Sequence, residues 1–298
     1  MLNPKRSLQS LLRQNYAVTK AYSQLRWRWK MRSHFPPNNP LIIYQMGKVG
    51  STTIVESLRR SVPERAIFHV HFLSPEGIAI DDNFYRSHLS RIGAIHDHLL
   101  ESWYLREQLD KQTQAEKYQV VTLVREPIAR NISAFFQTLE YQFGYDIRAR
   151  SRNLESDDFV RELSELFFQE DERHERPLTW FDLELKEVFG VDVFSTEFDR
   201  DRGYQIYHSP KAEVLVLKLE SLEKCAQSAF QDFLGLNEFT LAKSNVGEGK
   251  KYKTLYRRFL HLVEIPEDYI DRMYDSRYTR YFYSDEEIKA LRDKWKLK

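Results

Sequence analysis

Leu41-Ile-Ile-Tyr-Gln-Met-Gly-Lys-Val-Gly-Ser-Thr-Thr-Ile54 reads as a buried strand, a glycine-bearing turn and the opening of a helix. Leu41 to Tyr44 is a short apolar run with two β-branched residues, and the next apolar positions, Ile54, Val55, Leu58 and Val62, follow a helical period. Between the two runs lie Gly47, Lys48, Gly50, Ser51, Thr52 and Thr53. Glycine lets backbone N–H groups approach a ligand closely, and a helix N-terminus offers unpaired donors at the positive end of its dipole. A lysine and three hydroxyls complete an anion cradle suited to phosphate or a chemically similar oxyanion. The usual nucleotide P-loop places its lysine directly after the second glycine and follows it with a magnesium-binding Ser or Thr. Here Lys48 precedes Gly50. That order points to an anion cradle without the usual metal.

Composition allows one large α/β domain or two small ones, since 298 residues with 42 % hydrophobic and 14 % aromatic content are ample for a core. A net charge of +1 makes no whole-chain case for nucleic acid. The charge is unevenly spread, because Lys5, Arg6, Arg13, Lys20, Arg26, Arg28, Lys30 and Arg32 all precede Glu56, the first acidic residue. Residues 3 to 32 read as a long basic amphipathic helix with Asn3 as cap and Pro4 at its first position. Its expected apolar stripe is Leu8, Leu11, Leu12, Tyr16, Thr19, Tyr22, Leu25 and Trp29, and Pro36-Pro37 ends it. Two readings of this arm stay open: a helix packed on the domain with a solvated basic face, or peripheral contact with an anionic membrane surface, with tryptophan at headgroup level. Cys225 is the only cysteine, which rules out an intrachain disulfide and suits a reducing compartment. No apolar run reaches the ~20 residues of a spanning helix, so the expected location is cytoplasmic, with the inner face of the membrane as a peripheral option.

Further along, Ala66 to Phe72 reads as a second strand carrying His69 and His71. Ligands of parallel α/β sheets bind beyond the carboxyl ends of strands, so His71 is well placed as a base. Residues 83 to 116 read as helical with an interruption near Gly93, where His96 and His98 form a competing pair. Two histidines without further ligands do not make a metal site, and none is expected. Tyr118 to Val124 is the clearest buried strand; it ends at Arg125-Glu126-Pro127, and Pro127 opens a helix running to Phe143. Ser133 then lies ~9 Å along that helix, and a guanidinium with a hydroxyl in this relation can clamp a second phosphate. A helix over residues 157 to 169 is followed by a polar run, 170 to 176, and by an amphipathic helix, Trp180 to Phe189, read as core packing. Strands are expected at 204 to 207 and 213 to 219, the latter central. The turn-rich loop from Lys243 to Tyr252, with Asn245, Gly247, Lys250 and Lys251, reads as a cationic lid.

The cradle from Gln45 to Thr53, Arg125-Glu-Pro with Ser133 eight residues after the arginine, and the Asn245 to Lys251 loop together resemble the sulfotransferases that use 3′-phosphoadenosine 5′-phosphosulfate, PAPS. The wording of Val124 to Phe136, of Trp180-Phe-Asp and of Phe189 to Phe194 is most similar to the bacterial branch described as capsular polysaccharide synthesis proteins. The resemblance implies a P-loop-like three-layer α/β domain over residues 40–298, with a central mainly parallel sheet flanked by helices. Residues 1–39, the basic helix and a proline-rich linker, lie outside it. It further implies that Gly47, Lys48, Gly50, Ser51, Thr52 and Thr53 hold the 5′-phosphosulfate, that Arg125 and Ser133 hold the 3′-phosphate, and that Asn245, Gly247, Lys250 and Lys251 cover the nucleotide. The catalytic residues would be Lys48 and one histidine, His71 or His98; Glu126, before a helix-opening proline, would serve the fold. The expected reaction is sulfuryl transfer to a hydroxyl acceptor, a glycan or polysaccharide precursor, without a metal. The alternatives are a non-catalytic nucleotide-binding or membrane-docked component of polysaccharide assembly and a P-loop kinase.

Overall fold

The computed structural model describes residues 15–34, 40–111, 117–142, 156–169, 171–242 and 253–296. The apolar runs assemble into one sheet of five strands: β1 (Leu41–Tyr44), β2 (Ile67–Val70), β3 (Tyr118–Val124), β4 (Tyr204–His208) and β5 (Ala212–Lys218), in the order β2-β1-β3-β5-β4. β1 is parallel to β2 and β3, β3 is parallel to β5, and β4 alone runs antiparallel, against β5. Every residue of β1 is buried, and β3 and β5 are buried except at Gln119 and Glu213, which face each other in register. Such continuous apolar runs are what a parallel sheet covered on both faces requires.

The order of the strands decides where a ligand can sit. From β1 the chain moves out to edge strand β2, then returns past β1 to β3, and from β3 the sheet grows the other way. Connections diverge between β1 and β3, and the crevice beyond their carboxyl ends is the switch point where open α/β sheets bind ligands. The Gly47 to Thr53 segment and Arg125 both leave the sheet there.

The helices are α1 (Tyr16–His34), α2 (Ser51–Ser61), α3 (Pro75–Ile92), α4 (Asp97–Lys111), α5 (Pro127–Gln142), α6 (Asp157–Phe168) and α7 (Asp171–Trp180). After β5 come α8 (Leu222–Leu234), α9 (Lys253–Leu262), α10 (Glu267–Tyr274), α11 (Arg277–Phe282) and α12 (Asp285–Lys296). Two expectations are corrected. α3 begins at Pro75, not near residue 83, because Ser74 caps it by accepting the Gly77 N–H at 2.9 Å and Pro75 fills the first position. The helix expected from Trp180 begins earlier, inside the polar run: α7 starts at Asp171 and continues through a π-helical stretch, Phe181–Lys186, to Phe189. Burial of His174 and Trp180 along it carries the helix past Pro177, so tertiary packing overrides the local signal. Glu126 serves the fold: its carboxylate accepts the Ile128 and Ala129 N–H groups at 2.7 and 2.8 Å, capping α5, and also the Tyr274 hydroxyl at 2.6 Å.

α1 departs most from its expected form. Its expected beginning, residues 3 to 14, and Pro36-Pro37 lie outside the described residues. Where it is described, the face most deeply buried on the domain is not the expected stripe, of which Tyr16 and Thr19 are half-buried. Trp27 and Met31 are buried against the domain, with Trp27 packed on Phe68 and Tyr104 at centroid distances of 6.4 and 5.1 Å. Tyr22, Leu25 and Trp29 instead face water. Part of the basic face is committed to the protein itself, through Lys20 to Asp82 at 2.6 Å and Arg28 to Glu107 at 2.5 Å. Among the described residues no helix is long and apolar enough to cross a membrane.

Candidate active site beyond β1 and β3

The cradle is built by two left-handed residues, Lys48 at φ +75° and Gly50 at φ +90°. Glycine is favoured at position 50 on a second ground, since a Cβ there would lie 2.6 Å from Leu219 Cδ1, which would have to shift. α2 follows at once, and no side chain caps its first turn. A helix N-terminus presents N–H donors and the positive end of its dipole to an anion. Two arginines, one after β3 and one in the first turn of α5, fix the loop by its carbonyls: Arg125 Nη1 donates to Lys48 O at 2.8 Å and Arg130 Nε to Gly47 O at 3.0 Å. Burial lowers the Arg130 pKa to about 10, with Arg173 and Arg125 nearby adding to the effect. The other bond of its guanidinium goes to Asn131 Oδ1 at 3.1 Å, and no carboxylate neutralises it among the described residues. A half-buried cation held by carbonyl and amide oxygens alone keeps its charge uncompensated.

His71 lies one residue past β2. Its Nδ1 is 2.9 Å from Gln45 O, a group that only accepts, so Nδ1 carries the proton and Nε2 presents a lone pair. That Nε2 is 3.8 Å from where a Cβ of Gly47 would stand, so the imidazole looks directly onto the cradle. Burial, then His98 and His69, hold the His71 pKa well below the usual histidine value, which keeps the ring in its basic, neutral form. Its backbone is anchored from far along the chain, because Trp180 Nε1 donates to His71 O at 3.0 Å. Four residues later the buried Glu184 carboxylate accepts Leu73 N at 2.8 Å, Ser74 N at 2.9 Å, Ser74 Oγ at 2.6 Å and the Tyr44 hydroxyl. The loop carrying His71 is thereby tied to β1. His98 stands behind His71 with ring centroids 5.0 Å apart, its Nε2 3.4 Å from Asp81 Oδ2 and 3.3 Å from Tyr85 Oη.

Gly47, Lys48, His71 and His98 line one cavity, together with Asp81, Arg130 and Trp180 among others. Arg125 reaches the cradle from behind through Lys48 O. Ser51, Thr52 and Thr53 form the first turn of α2, and Ser133 sits half-buried on α5; none of the four belongs to the cavity lining. Asn245, Gly247, Lys250 and Lys251 lie outside the described residues. Among the described residues no group of three or more His, Cys, Asp or Glu is arranged to hold a metal ion. Arg130, Trp180, Glu184 and Asp81 were not singled out by the sequence reading. Arg130 had a signal in Arg125-Glu-Pro-Ile-Ala-Arg130, a second cation on the turn after the first; Trp180 and Glu184, inside an amphipathic run, had none that distinguishes support of a site from packing.

A family model described as "Putative capsular polysaccharide synthesis protein" matches residues 153–284. The matched segment runs from before α6 to the residue preceding α12 and contains Trp180 and Glu184, the supports of the His71 loop, whereas the cradle, His71 and Arg125 precede it. No curated protein and no solved structure matches the chain.

Proposed function

We propose that the protein is a sulfotransferase that moves the sulfuryl group of PAPS to a hydroxyl of a saccharide acceptor in polysaccharide synthesis. One observation carries the reading: Lys48, the open side of the Gly47 turn and the lone pair of His71 Nε2 meet in one cavity at the switch point of the sheet. The N-terminus of α2 and the Arg130 guanidinium, bound to carbonyl and amide oxygens, fit an anionic donor. The match to a capsular polysaccharide synthesis model favours a saccharide as acceptor.

In this reading Gly47, Lys48, Gly50, Ser51, Thr52 and Thr53 receive the 5′-phosphosulfate, Arg125 and Ser133 the 3′-phosphate, and Asn245, Gly247, Lys250 and Lys251 cover the nucleotide. PAPS supplies a sulfuryl group on a good leaving phosphate. His71 Nε2 takes the proton of the acceptor hydroxyl as that oxygen bonds to sulfur and the bond to the leaving phosphate oxygen breaks. Lys48 and Arg130 balance the charge on the transferring group and on the departing oxygen. His98, backed by Asp81, is the second station for the proton. The position of Lys48 before Gly50 argues against magnesium-dependent phosphoryl transfer.

Calorimetric titration with adenosine 3′,5′-bisphosphate and with AMP tests the two-phosphate site. The bisphosphate should bind at least about tenfold tighter, the worth of one charge-assisted contact pair, and Arg125→Ala should erase the difference. Equal affinities would remove the basis of the proposal. Transfer of labelled sulfuryl to saccharide acceptors separates the enzyme from a non-catalytic component, which would bind the bisphosphate without turnover.

A further inference from the structure

α1 carries a second apolar face that the domain does not use. Val18, Tyr22, Leu25 and Trp29 are 42 %, 57 %, 71 % and 75 % exposed. Spaced i, i+4, i+7 and i+11, they form one line ~16 Å long on a helix rising 1.5 Å per residue. The line lies opposite Trp27 and Met31, which are buried. The helix cannot roll to hide it: Tyr16 Oη and Lys20 Nζ both hold Asp82 Oδ1 at 2.6 Å, and Arg28 holds Glu107 at 2.5 Å. The apolar line is therefore presented to the outside by the tertiary structure itself.

Its chemistry selects the occupant. Tyrosine and tryptophan have apolar bodies with polar tips suited to a headgroup layer, and leucine supplies plain hydrocarbon. Arg26 is exposed on one flank of the line, ~100° around the helix from Leu25, while Arg28 on the other flank is engaged by Glu107. The helix itself, Tyr16–His34, contains no acidic residue to repel an anionic surface. A second copy of the chain would set the same arginines against each other across the seam, where like charges oppose association. We infer that α1 is an interfacial helix that docks the protein onto an anionic lipid bilayer through Val18, Tyr22, Leu25 and Trp29. This inference does not depend on the proposed reaction.

The test is flotation of the full chain with vesicles of phosphatidylcholine alone and of phosphatidylcholine with phosphatidylglycerol. The chain should float with the anionic vesicles, less so with neutral ones, and less at raised salt. The double variant L25S/W29S should weaken the partition at least about tenfold, since both side chains lose burial in the bilayer. R26E should also weaken it while flattening its salt dependence. Leu25, Arg26 and Trp29 are all exposed, so thermal unfolding should be unchanged in both variants. The inference is overturned if anionic vesicles leave the chain behind, or if folded L25S/W29S floats as wild type does. It is equally overturned if light scattering finds a dimer that the double variant dissociates, which would assign the face to a second copy.

Discussion

Replacing Gly77 by alanine should destabilise the protein although helix propensity alone predicts the opposite. Gly77 lies in the first turn of α3, where exchanging glycine for alanine ordinarily gains up to ~1 kcal/mol. A Cβ at this position, however, would stand 1.9 Å from Glu184 Oε1 and 2.7 Å from Phe72 Cδ1. The carboxylate is buried and cannot step aside into water. It would have to leave the Leu73 and Ser74 N–H groups and the Ser74 and Tyr44 hydroxyls. Each donor left unsatisfied in the interior costs ~1–3 kcal/mol, so losing two or three of them outweighs the propensity gain and leaves a net loss of ~3–6 kcal/mol. That is a large part of the ~5–15 kcal/mol that holds a typical domain together. Urea unfolding followed by tryptophan fluorescence measures it, and the partner substitution Glu184→Ala completes a double-mutant cycle. In the Glu184→Ala background most of the penalty of Gly77→Ala should vanish, leaving the softer Phe72 contact. Gly77→Ala as stable as the parent, or penalties that simply add, would refute the account of the Glu184 clamp.

His71→Ala should lower turnover by on the order of 10²–10⁴, the usual worth of a general base, and His98→Ala by less; the reverse ranking in sulfuryl-transfer assays would move the base to His98. Because His71 titrates below the usual histidine range, activity should persist on the acid side of pH 6.5, and a limb rising only above that pH would contradict the assignment. Glu101, buried with its carboxylate on the His69 N–H, has its pKa raised to about 8, chiefly by burial. The folded form keeps a proton there that the unfolded form releases, so this contribution is complete below pH ~4.5 and is lost as pH rises through ~8. Glu101→Gln should flatten that part of the pH dependence of Tm relative to the parent, and identical curves would count against it. Gly50→Ala combines a left-handed φ with the Leu219 contact and should cost ~1–3 kcal/mol of stability together with bisphosphate affinity, both readable in one calorimetric series.

Local periodicity carried the reading of β1, the cradle turn and α2, and of β3, Arg125 and α5, because each of these units is decided within a dozen neighbouring residues: a buried apolar run, a punctuating Gly or Pro, a helical repeat. Glu126, expected only to serve the fold, does so as a cap on partners two and three residues away and as a tie to Tyr274, far along the chain. The two histidine candidates were not separable on those terms. His71 is singled out by a carbonyl 26 residues earlier, by the bare Cα of Gly47 and by an indole 109 residues later, and none of these leaves a periodic trace. Arg130 became part of the site only when α5 brought it under the Gly47 carbonyl.

From its sequence alone the chain determined most of its elements, the glycine-bearing turn between β1 and α2 and the basic character of its first helix, because composition and short-range spacing are sufficient for each. Tertiary structure decided which histidine faces the cradle, which carboxylate holds that histidine's loop, and which face of α1 stays in water. Those outcomes depend on contacts between residues far apart in the chain, and only the packed sheet and its covering helices specify them.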